Sequence, residues 1–115
     1  MADFSQQLKG KMDRYAHLTY KITRQFPKEE LYGTAAQLRR AALSVILNYV
    51  EGFARTKKAV KLNFWEISYG SLKESKYLMY FSFAEKYIEE NDYKIAIDLA
   101  DEIGAMLWRS ILPLR

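Results

Sequence analysis

Between Thr56 and Tyr87 the chain runs for about thirty residues with no proline and a single glycine, Gly70. No alternation of β-branched residues interrupts the stretch, so it reads as one helix. At 1.5 Å per residue that helix is about 45 Å long. An isolated helix is marginal in water, so a rod of this length needs apolar partners along all of it. The rest of the chain must supply them.

The flanking segments have the required periodicity. Phe4, Leu8, Met12, Tyr15, Thr19, Ile22 and Phe26 recur every three or four residues and predict a first amphipathic helix over about residues 3 to 25. Pro27 ends it, because the residue before a proline is pushed out of helical geometry. Thr34 and Gln37 have capping-box spacing and start a second helix that reaches about Ala54. Its apolar residues fall on two flanks: Leu38, Ala42, Val45, Tyr49 and Phe53 on one, and Leu43, Leu47, Val50 and Ala54 on the other. A helix apolar on two flanks is expected to be largely buried.

Thr56 suits the cap of the long third helix. The expected inward stripe of that helix is Val60, Phe64, Ile67, Ser71, Glu74, Leu78 and Phe81. A fourth helix, about residues 91 to 112, carries Ala96, Leu99, Ile103, Met106 and Ser110 on one stripe and Ile97, Ala100, Leu107 and Ile111 on another, and Pro113 stops it. Gly70 and Gly104 inside helices are expected to permit close helix approach. Short connections place sequence neighbours antiparallel, so residues 1–115 are expected to form a single all-α domain, an up-down-up-down four-helix bundle.

Composition excludes several chemistries. Cysteine is absent, which removes disulfides, thiolate metal sites and a cysteine nucleophile. The one histidine, His17, does not stand three residues after a Glu, so neither a di-iron carboxylate centre nor a zinc site can be assembled. Isolated glycines (Gly10, Gly33, Gly52, Gly70, Gly104) form neither a phosphate-binding loop nor a dinucleotide fingerprint, and no nucleophile-elbow pattern occurs. No cofactor and no catalytic residue are therefore expected. The charged N-terminus and the short apolar run from Ala41 to Val50 argue against a signal peptide or a membrane span, and a cytoplasmic protein is expected.

Charge is unevenly placed. Residues 1 to 76 hold 14 Lys/Arg against 7 Asp/Glu, a net +7, and residues 77 to 115 hold 4 against 7, a net −3, which recovers the overall +4. Arg55, Lys57, Lys58 and Lys61 cluster at the junction of the second and third helices, and Lys73 and Lys76 lie further along the third. These six residues are the candidates for phosphate contact with RNA or DNA; the competing reading is an ordinary solvated turn. Tyr69, Tyr77, Tyr80, Tyr87 and Tyr93 concentrate in the second half and suit core or oligomer contacts better than base stacking.

A polar stripe on the second helix interrupts its apolar surface: Gln37, Arg40, Ser44, Asn48 and Glu51 share one face. Ser71 and Glu74 interrupt the third helix in the same way. We expect a buried or interface network, with Arg40 pairing Glu51 or Glu74 while Asn48 and the serines bridge. A ligand site and a solvated groove are the alternatives.

The segment Phe26-Pro27-Lys28-Glu29-Glu30-Leu31-Tyr32-Gly33, with Gln37-Leu38-Arg39-Arg40-Ala41-Ala42, Ser44, Asn48, Glu51-Gly52-Phe53, Gly70-Ser71-Leu72, Glu74 and Glu102-Ile103-Gly104, resembles the four-helix-bundle proteins encoded in intervening sequences of bacterial 23S ribosomal RNA genes. The resemblance covers about residues 15 to 112. It implies an up-and-down bundle that forms a pentameric ring, like the accessory proteins of diversity-generating retroelements, which bind nucleic acid and a reverse transcriptase. It implies no enzymatic activity and does not make the chain a structural ribosomal protein. By position, its characteristic residues are Gln37, Arg40, Ser44, Asn48, Glu51, Gly52, Gly70, Ser71 and Glu74. Two departures stand out: Ser44-Val45-Ile46 lacks the proline usual before the Asn, and Ala59 replaces a usual Glu. The function expected from all of this is a non-enzymatic homo-oligomeric module associated with RNA or DNA, with a possible protein partner. The rivals are a protein-binding scaffold and a small-ligand or hydrolytic bundle using the polar stripe.

Overall fold

Asp3 opens the first helix through a reciprocal cap. Its carboxylate accepts from the Gln6 backbone N–H at 2.8 Å, and the Gln6 side chain accepts from the Asp3 N–H at 3.1 Å. The Gln6 N–H, together with the Ser5 hydroxyl that donates at 3.0 Å, holds the Asp3 carboxyl below its ordinary range. In the computed structural model, which describes residues 2–115, α1 spans Phe4–Thr23, α2 Thr34–Phe53, α3 Lys58–Ala84 and α4 Glu90–Ile111. Single 3₁₀ turns occupy Lys28–Glu30 and Leu112–Leu114. The chain is all-α.

Two helix starts differ from expectation. Gly33, not Thr34, holds the cap position of α2, and the Thr34 hydroxyl turns back to the Glu30 carboxylate instead of capping a backbone N–H. Lys57, not Thr56, precedes α3, and no side chain caps it. At its other end α3 stops three residues earlier than the periodicity suggested. Lys86 adopts a left-handed conformation (φ 67°), its N–H donates to Phe83 O at 2.9 Å, and the Tyr87 N–H donates to Ser82 O at 2.8 Å. That pair of bonds closes the last carbonyls of the helix in a Schellman motif.

Contacts between neighbours run in opposite residue order, which fixes the directions. Trp65 Nε1 donates to Tyr49 O at 3.0 Å, Ser68 Oγ to Val45 O at 2.6 Å, and Ser44 and Ser71 hydroxyls meet at 2.7 Å; numbers fall along α2 as they rise along α3. Tyr69 packs tilted against Trp108 and Phe83 stacks on Tyr93; Lys11 pairs with Glu102 while Arg109 lies over the Phe4 ring; and Arg39 reaches back to Thr23 while Tyr49 and Phe53 share a cleft with Ser5 and Lys9. Every sequential pair, and α1 with α4, is therefore antiparallel. The extents of 43 × 28 × 20 Å match the length of α3.

The core is built from Leu8, Met12, Tyr15, Leu38, Val45, Tyr49, Leu72, Met79, Ile103 and Leu107, all at most 2% exposed. On α4 the buried residues are those the sequence points to. On α3 they are Trp65, Ser68, Leu72, Ser75, Met79 and Ser82, which is the expected stripe shifted by one residue. One residue is about 100° of helix rotation, so the expected stripe lies to the side: Val60 is 37% exposed, Ile67 45% and Phe81 37%.

Candidate functional site at the outer seam of α2 and α3

The close packing of α2 on α3 explains this rotation. A Cβ at Gly52 would lie 2.6 Å from Trp65 Cδ1, so only glycine lets the indole sit against the α2 backbone and donate to Tyr49 O. Ser68 reaches the Val45 carbonyl because its own side chain is short. Small inward residues draw the two helices together and turn the larger apolar ones outward. A Cβ at Gly70 would meet open space, whereas one at Gly104 would lie 3.4 Å from Leu72 Cδ2, so the expected close approach holds at Gly104 and not at Gly70.

The polar stripe lies along the outer edge of this seam. The Ser44–Ser71 bond is its centre, and the Asn48 side-chain amide donates to Ser44 O and Ser44 Oγ, both at 2.9 Å. Ser44, Asn48, Glu51 and Ser71 are half-buried, whereas Gln37, Arg40 and Glu74 are exposed. Glu51 pairs with Arg55 one turn along α2. Arg40 makes no ion pair among the described residues, so the expected Arg40 pairing with Glu51 or Glu74 is not formed within the chain. It fails because Glu51 is engaged by Arg55, and Arg40 and Glu74 are exposed, where carboxylate and guanidinium stay hydrated.

Apolar side chains are exposed on both helices. Leu47 is 62% exposed on α2, and Ile67 and Phe81 are exposed on α3 with Leu78 half-buried, while Val50, 45% exposed, lies in a cleft with Ser5 and Lys9 of α1. Of the second flank of α2, expected inside, Leu47, Val50 and Ala54 are outside and Leu43 is half-buried, and Phe53, at the end of the first flank, is exposed as well. Periodicity alone cannot separate a flank that meets the chain's own core from one that does not.

The six basic candidates divide. Arg55 and Lys61 fold back onto the protein: the Arg55 guanidinium lies 5.4 Å from the Phe64 ring, and Lys61 Nζ lies 5.7 Å from Phe53 and 5.5 Å from Trp65. Lys57 and Lys58 are exposed and make no ion pair among the described residues. Lys73 Nζ sits 5.1 Å from the Tyr69 ring and Lys76 pairs with Asp101, so these two face α4 rather than the α2–α3 turn. The compact basic end comprises Arg55, Lys57, Lys58 and Lys61.

Among the described residues no group of three His, Cys, Asp or Glu could hold a metal ion. His17 lies exposed beside Asp13 at 3.4 Å. Among the described residues no helix is long and apolar enough to cross a membrane.

Four antiparallel helices around one core, with a polar-centred outer seam, define an up-and-down helical bundle. The family model for the 23S rRNA-intervening sequence protein matches residues 6–109, and the chain belongs to that family. Its fold is similar to the crystal structure of a protein of unknown function from the S23 ribosomal protein family of Bacteroides thetaiotaomicron. That similarity has a TM-score of 0.87 at 19% identity and covers 95% of this chain and 98% of that one. No curated protein matches the sequence.

Proposed function

We propose that this protein is a non-enzymatic, self-assembling helical bundle of the cytoplasm whose basic surface engages RNA or DNA. The observation that carries the reading is the outward turn of α3, which leaves Val60, Ile67 and Phe81 exposed along one face of that helix, with Leu47 exposed on α2. Large apolar side chains exposed in this way are a mark of association. A ring of five copies, as the family resemblance implies, covers this face and repeats Lys57 and Lys58 around its perimeter. Repetition raises affinity for a polyanion without any new contact. Within the seam, Ser44, Asn48 and Ser71 satisfy one another, which suits an interface better than a reaction.

Titration of fluorescently labelled RNA tests the reading. Binding is expected at 50 mM salt and is expected to fall steeply by 200 mM, as phosphate contacts demand. Replacing Lys57 and Lys58 by Ala is expected to weaken binding and flatten the salt slope. No binding at 50 mM salt rejects the nucleic-acid role. The apolar face also favours a second reading, a scaffold for a protein partner, in which association persists at high salt.

A further inference from the structure

A second feature lies about 24 Å along α2 from Arg55, at the opposite end of the bundle. Tyr20, Leu31, Tyr32, Ala36, Arg39 and Arg40 line an open cleft of about 380 Å³. Tyr32 is 91% exposed, the most exposed of the large hydrophobic side chains. Nothing in the bundle's own packing accounts for a bare aromatic ring at this position.

Arg39 is held in place within the cleft. Its Nε donates to Thr23 Oγ1 at 2.7 Å, and that buried hydroxyl in turn donates to Thr19 O at 2.7 Å. The guanidinium also lies over the Tyr20 ring, with Cζ 4.9 Å from the centroid. Its two terminal nitrogens have no acceptor among the described residues. A planar cation is thus fixed on an aromatic base with its remaining donors unused, which is the geometry that receives a phosphate or a base edge. Arg40 lines the same cleft, and Arg24 follows Tyr20 by one turn on α1; neither forms an ion pair among the described residues. The neighbouring carboxylate of Glu30 is engaged by Thr34, while Glu29 is exposed.

We infer that this cleft is a stacking site for an unpaired nucleotide of a single-stranded nucleic acid, with the base on Tyr32 and the adjoining phosphate on Arg39 and Arg40. The inference rests on the nucleic-acid reading and adds a second contact point to it. Aromatic rings and arginine planes take the face of any base, so the site is indifferent to sequence. A duplex offers no free base face, so the site selects single strands.

The test compares wild type, Tyr32→Ala and Tyr32→Phe, using a labelled twelve-nucleotide RNA, single-stranded or annealed to its complement. Each variant's melting temperature and solution mass are also measured. Tyr32→Ala is expected to weaken single-strand binding roughly tenfold, Tyr32→Phe to retain it, and duplex binding to stay unchanged in both. A 2-aminopurine base in the single strand is expected to be quenched by wild type and less so by Tyr32→Ala. If wild type binds the single strand and Tyr32→Ala binds it equally, the cleft is not the site, and the general reading survives. If wild type binds neither form, both fall. If Tyr32→Ala changes the solution mass, the cleft is a contact between copies and the inference is overturned.

Discussion

α4 buries Ala96, Leu99, Ala100, Ile103, Met106, Leu107 and Ile111, whereas α3 buries Trp65, Ser68, Leu72, Ser75, Met79 and Ser82 and turns Val60, Ile67 and Phe81 outward. The two helices share one core, yet only on α4 do the apolar stripe and the inward face coincide. The difference follows from their partners. α4 packs its broad apolar face across the bundle, while α3 sits so close to α2 that Gly52 and Ser68 are needed at the contact. An apolar stripe therefore does not by itself mark the inward face, and the chain can leave part of it in water.

Paired truncations on the two faces of α3 give the largest contrast. Leu72→Ala is expected to cost about 2–5 kcal/mol in denaturant unfolding, since its fully buried side chain leaves a cavity; Ile103→Ala on α4 should cost the same. Ile67→Ala, measured in dilute protein, is expected to cost less than about 1 kcal/mol and to lower the solution mass instead. Equal losses at Leu72 and Ile67 in dilute protein would place α3 in the orientation its periodicity first suggested.

The legible and illegible parts of the molecule divide along the same line. Helix number, order and approximate ends follow from Pro27, Gly33, Pro113 and the three-to-four spacing of apolar residues, because those signals are local. The rotation of α3 is not local. It depends on Gly52 receiving the Trp65 indole, a contact between residues thirteen apart in the chain that neither helix announces alone. The one available hint was the seven-residue spacing of Ser68, Ser75 and Ser82, set against Trp65, Leu72 and Met79 at the same interval. In the candidate site the Ser44, Asn48 and Ser71 bridge was readable from spacing. The pairing of Glu51 with Arg55, and the lack of an ion pair at Arg40 among the described residues, were not, since an exposed charge pairs with whichever neighbour its rotamer meets. The cleft around Tyr32 escaped because it joins a loop residue to two helices.

A second experiment sharpens the contrast at the serine-bearing face itself. The Tyr15 hydroxyl crosses the bundle to Ser75 Oγ at 2.8 Å, and Ser75 also donates to Leu72 O at 2.7 Å. Burial pushes the Tyr15 phenol up to about 12 from its ordinary value of 10.0. A raised folded-state value means that the stabilisation is fully present below pH 10 and is lost as the pH rises from 10 to about 12. Tyr15→Phe is thus expected to cost about 1 kcal/mol at pH 7, the worth of one hydrogen bond. Between pH 10 and 12 the wild type should lose up to about 3 kcal/mol that the variant does not lose. Melting curves of the two proteins across that range should therefore converge and then cross. Parallel curves would mean that Tyr15 is hydrated and that the α1–α3 crossing is open.

The smallest effect is the most discriminating about the outer seam. Glu51 and Arg55 form an ion pair in which the two side chains are 46% and 45% exposed, respectively, and half-exposed pairs of this spacing contribute only about 0.3–0.5 kcal/mol. Glu51→Ala should therefore change dilute-protein stability by less than about 1 kcal/mol. The proposed self-assembly would alter the premise, because an interface that covered Leu47 and Ile67 would also take Glu51 and Arg55 out of water. A charge left without its partner in a covered interface costs about 3–5 kcal/mol. The same substitution should then become more harmful as protein concentration rises, whereas Leu72→Ala keeps its cost throughout. If the Glu51→Ala penalty stays below about 1 kcal/mol at every concentration while the mass remains oligomeric, the copies meet through some other face.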